Sequence, residues 1–169
     1  MSRERLQIAE SRIQFARGFV QQFLEGLTPD EWFWTPPGFV THIAWQVGHI
    51  ASSQYGLCLF RMRGRTAADE TLLPQAIWDS FKIGSTPVAG AEHNPPVAQI
   101  LEIFSAVQAQ VFRELAAKTD QDLDVPLEKP HPAFTTVLGG IGGLGAAVIP
   151  PLVQQSQQFW KALPEYMDQ

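Results

Sequence analysis

The residues able to do chemistry are few: four histidines, one cysteine and a short glycine run. His42 and His49 lie on one helical segment and share a face, roughly 10 Å apart along its axis. That is too far for one tetrahedral ion unless other elements intervene. His93 and His131 sit in proline-rich stretches, and neither H-x-x-x-H nor H-E-x-x-H occurs anywhere. The helical zinc pattern is therefore missing, and a lone helical histidine is more often a hydrogen-bonded structural group than a ligand. Cys58 lies among apolar neighbours on a helix, where an inert buried thiol is expected. Asp30 with Glu31, and Asp120 with Asp122, read as caps or solvated turns rather than as acid-base pairs. Gly140-Ile141-Gly142-Gly143-Leu144-Gly145 spells G-x-G-x-x-G. In a dinucleotide fold that loop opens a phosphate-facing helix and further β-α units follow, whereas here Pro150-Pro151 falls where the helix should be established. The better reading is a bare helix face that lets another backbone approach, at a cost of about 1 kcal/mol of helix propensity per glycine.

Composition narrows the class. The 169 residues are 45% hydrophobic and 17% charged, an ordinary globular balance that reads as a single domain over 1–169. Eleven Phe and five Trp supply much of the buried area. The net charge is −5 with no basic block, so nothing would neutralise a row of phosphates and no nucleic-acid partner is expected. A single cysteine and a charged amphipathic start at Met1-Ser2-Arg3-Glu4-Arg5 favour a reducing, cytoplasmic compartment. The uncharged stretch from Val137 to Gln154 carries five glycines and a Pro-Pro pair, and it reads as a packed helix rather than a membrane span.

These side chains must be positioned by helices. Leu6, Ala9, Ile13, Ala16, Val20, Phe23 and Leu27 make a first helical stripe. Thr28, Pro29 and Glu31 predict a capping box on a short new turn, and Trp32-Phe33-Trp34 then enter a Pro36-Pro37-Gly38 corner. A second helix is expected from an N-cap at Thr41 to Arg63, with Gly64 as its stop. Its buried stripe is Ile43, Val47, Ile50 and Leu57; Gln54 interrupts it and Arg61 ends it. Residues 65–96 form a proline-rich crossover with one short helix over 75–81, and such long connections often cover a site. Ile100, Ile103, Phe104, Val107, Val111 and Leu115 mark a third helix, opened by Pro95-Pro96 and running to Lys118. A last helix is expected from Thr135 to Leu163, kinked at Pro150-Pro151. No alternation of strand length is present.

Thr35-Pro36-Pro37-Gly38 followed by Thr41-His42-Ile43-Ala44-Trp45-Gln46-Val47-Gly48-His49-Ile50-Ala51 resembles the DinB/YfiT-like family, in which a Pro-Gly turn precedes a helix carrying W-x-x-G-H-I/L-A. The middle loop, with Leu73-Pro74, Trp78, Phe81 and Gly84-Ser85-Thr86-Pro87, is similar to that family. So is the third helix followed by Leu123-Asp124-Val125-Pro126-Leu127. The resemblance implies an all-α, up-down four-helix bundle with a long crossover between helices 2 and 3, often a homodimer. It also implies a cavity holding a divalent metal, zinc or nickel, on three histidines: one from the second helix and two from an H-x-x-x-H on the last. Relatives include thiol-dependent S-transferases and an isomerase that uses mycothiol.

His49 matches the first ligand position. The last helix departs from the pattern: aligning Gln154-Gln155-Ser156-Gln157 with the family's H-x-G-Q puts Pro150 and Gln154 where the other two histidines belong. No register restores them, because no histidine follows His131. One neutral imidazole does not hold a catalytic zinc, which takes three protein ligands and a water. The expectation is thus the family scaffold with a degenerate metal site, no cofactor, and a small-molecule cavity near Trp45, His49, Trp78 and Gln154. Trp32 and Trp34 are further candidates to line it or to be simple core. Two alternatives compete: a metal-dependent hydrolase or thiol S-transferase that recruits His93 or His131, and an oligomeric interaction module built on the glycine-rich helix.

Overall fold

The computed structural model describes residues 2–131, 134–137 and 141. Among the described residues three long helices dominate. Helix α1 spans Glu4–Leu24, and α2 is one turn over Pro29–Phe33. Helix α3 spans Ile43–Tyr55 and continues through a π-helical stretch, Gly56–Phe60, into α4, Arg61–Arg63. The crossover carries α5, Asp69–Leu72, then α6, Gln75–Phe81, and a 3-10 turn over Ala91–His93. Helix α7 spans Val97–Ala116, and a second 3-10 turn covers Asp122–Asp124. The fold is mostly helical, as expected, and its core is a continuous cluster to which all three long helices contribute.

Side-chain contacts fix how the long helices run. At one end of α1, Arg3 reaches the carbonyl of Ala116 and Leu6 N–H donates to Asp120. Further along, Arg17 lies over Phe104. Thus α1 and α7 are antiparallel. Arg17 also meets Gln54, while Arg63 pairs with Glu114, so α3 and α7 ascend together. Parallel neighbours cannot be joined by a short turn, which is the physical reason for the long crossover.

Most local readings hold. The buried residues of α7 are Ile100, Ile103, Phe104, Val107, Val111 and Leu115, the stripe read from spacing. Glu31 accepts from both the backbone N–H and the hydroxyl of Thr28 at the start of α2. Gly64 stops α4 at φ 78°, a conformation glycine adopts without strain.

Three expectations are corrected. The N-cap of α3 is His42, not Thr41: His42 Nδ1 accepts from the Trp45 N–H at 3.2 Å, whereas the Thr41 hydroxyl turns to the His42 carbonyl. His42 therefore stands outside the helix and does not share the face of His49. The buried face of α3 does not fade at Gln54; it widens, with every residue from Ile50 to Tyr55 buried and Leu57, Cys58 and Leu59 following. Gln54 is tolerated inside because Arg17 meets it there. Finally, residues 134–136 are not the start of a helix. Pro126–His131 (β1) and Phe134–Thr136 (β2) form an antiparallel pair with an irregular register. The Val137 N–H continues the pairing to the Val125 carbonyl. Prolines at 126 and 130 hid β1 in the sequence, since Pro in a strand is confined to edges, starts and bulges, and a two-stranded ribbon is all edge. Val137 and Ile141, within the expected last helix, are helical and buried; its other residues beyond Thr136 lie outside the described ones, as do the rest of the run Gly140–Gly145, the Pro150-Pro151 kink and Gln154. Among the described residues no helix is long and apolar enough to cross a membrane.

Candidate functional site

His49 is built into α3 by a contact that its neighbour makes possible. The aromatic ring of Phe81, at the end of α6, lies against the bare face of Gly48. A Cβ there would sit only 2.6–2.7 Å from three ring carbons. That close approach brings the Phe81 carbonyl to 2.7 Å from His49 Nδ1. The carbonyl is one of the terminal acceptors that a helix leaves unpaired, so the ring N–H must donate to it. The proton is thereby held on Nδ1, and in neutral imidazole the Nε2 lone pair is left as an acceptor. The Ser53 hydroxyl, one turn along, donates towards Nε2 across a long 3.4 Å.

Trp45 closes one side of the imidazole. Its ring stacks on His49 with centroids 4.7 Å apart and planes within 8°. The Trp45 indole N–H donates to the Ser85 hydroxyl at 3.3 Å, tying the crossover to α3. Burial pushes the His49 pKa below its ordinary value, and the Phe81 bond opposes this only partly. The imidazole is therefore neutral at neutral pH. It can accept a hydrogen bond or a proton at Nε2, or offer that lone pair to a cation. This is the arrangement of a metal-ligating histidine, whose second nitrogen is commonly held by a backbone carbonyl.

The other candidates have different surroundings. His42 is fully committed, with Nδ1 capping α3 and Nε2–H donating to the Val88 carbonyl at 2.9 Å. Burial lowers its pKa as well. His93 is exposed beside Glu92. Trp78 packs edge-on to Tyr55 and Phe60, with the Arg65 guanidinium 5.6 Å from both the Tyr55 and Trp78 rings. Trp32 is core, and Trp34 is half-buried against it. Cys58 is buried and its thiol is pushed up to about 12. Among the described residues no three His, Cys, Asp or Glu side chains gather as metal ligands. Among the described residues the donor set around His49 offers one lone pair of the right kind and does not by itself make a three-histidine centre.

A concavity of about 260 Å³ lies between α5 and α7 and is lined in part by Arg63, Asp69, Gln110 and Glu114. Its polar groups are spent on one another. Arg63 gives two parallel bonds to Asp69, at 2.8 and 2.9 Å, and its remaining N–H groups to Glu114 and the Gly64 carbonyl. Asp69 also accepts from Tyr55 and from the Thr66 N–H. Burial works to raise the Asp69 pKa, but these donors outweigh it and hold the carboxyl at about 2. This network fastens the crossover to α4 and α7.

Spacing alone missed Arg17. It falls between Ile13 and Val20 in the apolar stripe of α1, and a charge in that register was the available signal. Its guanidinium is buried against Gln54, the polar residue that breaks the facing stripe of α3.

The mostly helical scaffold and the Gly48-His49 contact define a helical class of protein in which one histidine of α3 is presented with a fixed tautomer. A family model described as the DinB superfamily matches residues 12–146, and the chain belongs to that superfamily. The matched span ends before Pro150 and Gln154. No curated protein matches the chain.

Proposed function

We propose that this DinB-superfamily chain works without the three-histidine metal centre and binds a small organic molecule against the wall formed by Trp45 and His49. What carries the reading is the state of His49: Nδ1–H is committed to the Phe81 carbonyl and Nε2 is kept as a neutral acceptor. The sequence supplies no histidine after His131 to complete a metal site. A tautomer fixed by the fold suits a ligand that donates a hydrogen bond to Nε2, with the apolar indole face of Trp45 beside it. Gln154, expected on the last helix, and Trp78, on α6 of the crossover, are proposed as further lining.

The test is elemental analysis of untagged protein, before and after incubation with zinc, nickel or manganese. Metal well below one ion per chain is expected. One zinc or nickel per chain, lost in His49→Ala, refutes the reading and favours a metal-dependent hydrolase or thiol S-transferase. For the ligand, NMR screening of small organic compounds against the Trp45 indole N–H and the His49 ring is the direct assay. Compounds that shift both are expected to lose affinity in His49→Ala.

A further inference from the structure

The interior holds a charge that nothing among the described residues balances. Arg17 is 5% exposed, with its guanidinium 3.4 Å above the Phe104 ring and Nη2 donating to the Gln54 carboxamide oxygen. Gln54 is wholly buried. Arg17 Nη1 and Gln54 Nε2 are both buried and have no hydrogen-bond partner among the described residues. No ion pair reaches Arg17 from the described residues, and burial alone drags its pKa down to about 9. Orphaned buried donors are uncommon in folded proteins, and an unpaired buried cation more so.

Every unused group here is of one kind. Nη1 carries two N–H bonds and Nε2 carries two more, and neither is an acceptor. Adjoining donors beside a cation suit a ligand that only accepts and is negatively charged. The planar guanidinium favours a carboxylate, whose two oxygens match its geometry. We propose that Arg17 and Gln54, where α1, α3 and α7 meet, form an internal anion site that takes a small carboxylate. The carboxylate accepts from Arg17 Nη1 and Gln54 Nε2, while Phe104 supports the back of the guanidinium. Both side chains are closed from solvent, so entry needs local opening of the helices and the ligand must be small. The assignment is independent of His49, which lies about one and a half turns earlier on α3.

The experiment is thermal unfolding of the full chain in acetate, propionate or benzoate, each compared with sodium chloride at matched ionic strength. A saturable rise in Tm is expected with at least one carboxylate, roughly 5 °C or more at a hundred times Kd. Arg17→Met/Gln54→Leu fills the same space with apolar atoms and removes both unpaired nitrogen donors of the proposed site. It should fold and show no carboxylate-specific rise. Gln54→Glu supplies a built-in carboxylate, so it should melt above the wild type and also lose the response. Equal behaviour in all four salts overturns the proposal, as does a carboxylate response that survives in both variants. Saturable stabilisation by chloride alone overturns the assignment to a carboxylate.

Discussion

Gly48→Ala is the sharpest perturbation of the His49 site, because the added methyl does not touch the histidine. Its carbon would lie 2.6–2.7 Å from the Phe81 ring, against an ordinary contact of about 3.5–4.0 Å. Phe81 is buried at 1% exposure and has no room to turn away, so α6 must retreat by about 1 Å. That takes the Phe81 carbonyl from 2.7 Å out of hydrogen-bonding range of His49 Nδ1. Overpacking costs about 1–3 kcal/mol and the lost bond about 0.5–1.5 kcal/mol, while alanine returns about 1 kcal/mol of helix propensity. The net expectation is a destabilisation of about 1–3 kcal/mol, read from urea unfolding at unchanged m-value. Nitrogen-15 NMR of the imidazole should also show His49 losing its fixed Nδ1–H tautomer. In a Phe81→Ala background the clash is gone, so Gly48→Ala should there be neutral or stabilising by about 1 kcal/mol. A Gly48→Ala protein as stable as the wild type, or an equal cost in both backgrounds, would refute the reasoning.

Two further outcomes follow from charged groups. Asp69→Asn leaves Arg63 without its bidentate partner and should cost about 2–4 kcal/mol in urea unfolding, because a mostly buried pair is broken from one side; a loss below about 0.5 kcal/mol would show that the crossover is held by other means. Acid should weaken the fold in two windows. His42 and His49 have folded pKa values below 6.5, so the unfolded chain takes up protons first and stability falls as pH drops below 6.5, by at most about 1.4 kcal/mol per pH unit for each histidine. Asp69, held at about 2 against an ordinary 3.8, adds a second loss as pH falls through that lower range. Stability that is flat or rising between pH 7 and 5.5 would contradict the two buried, neutral imidazoles.

Periodicity and punctuation in the sequence determined the long helices. The α7 stripe, the Thr28-Pro29-Glu31 start of α2, the Gly64 stop and the short helix at Gln75–Phe81 are local patterns, and 3.6-residue spacing and capping chemistry report them directly. The Gly48-His49 motif marked the site residue and pointed to the superfamily. Its physical content was not legible, because the Phe81 ring and carbonyl that explain both residues lie on another helix. The same holds for Arg17 and Gln54: each reads locally as a blemish in an apolar stripe, and only packing brings the two together. The β1–β2 ribbon was hidden for a different reason, since its pairing is non-local and its prolines suppress the usual strand signal. Sequence thus decided which residues form each helix, through interactions within a few residues. Tertiary structure alone decided which nitrogen of His49 carries the proton and which buried charge lacks a partner among the described residues, because both depend on groups distant in the chain.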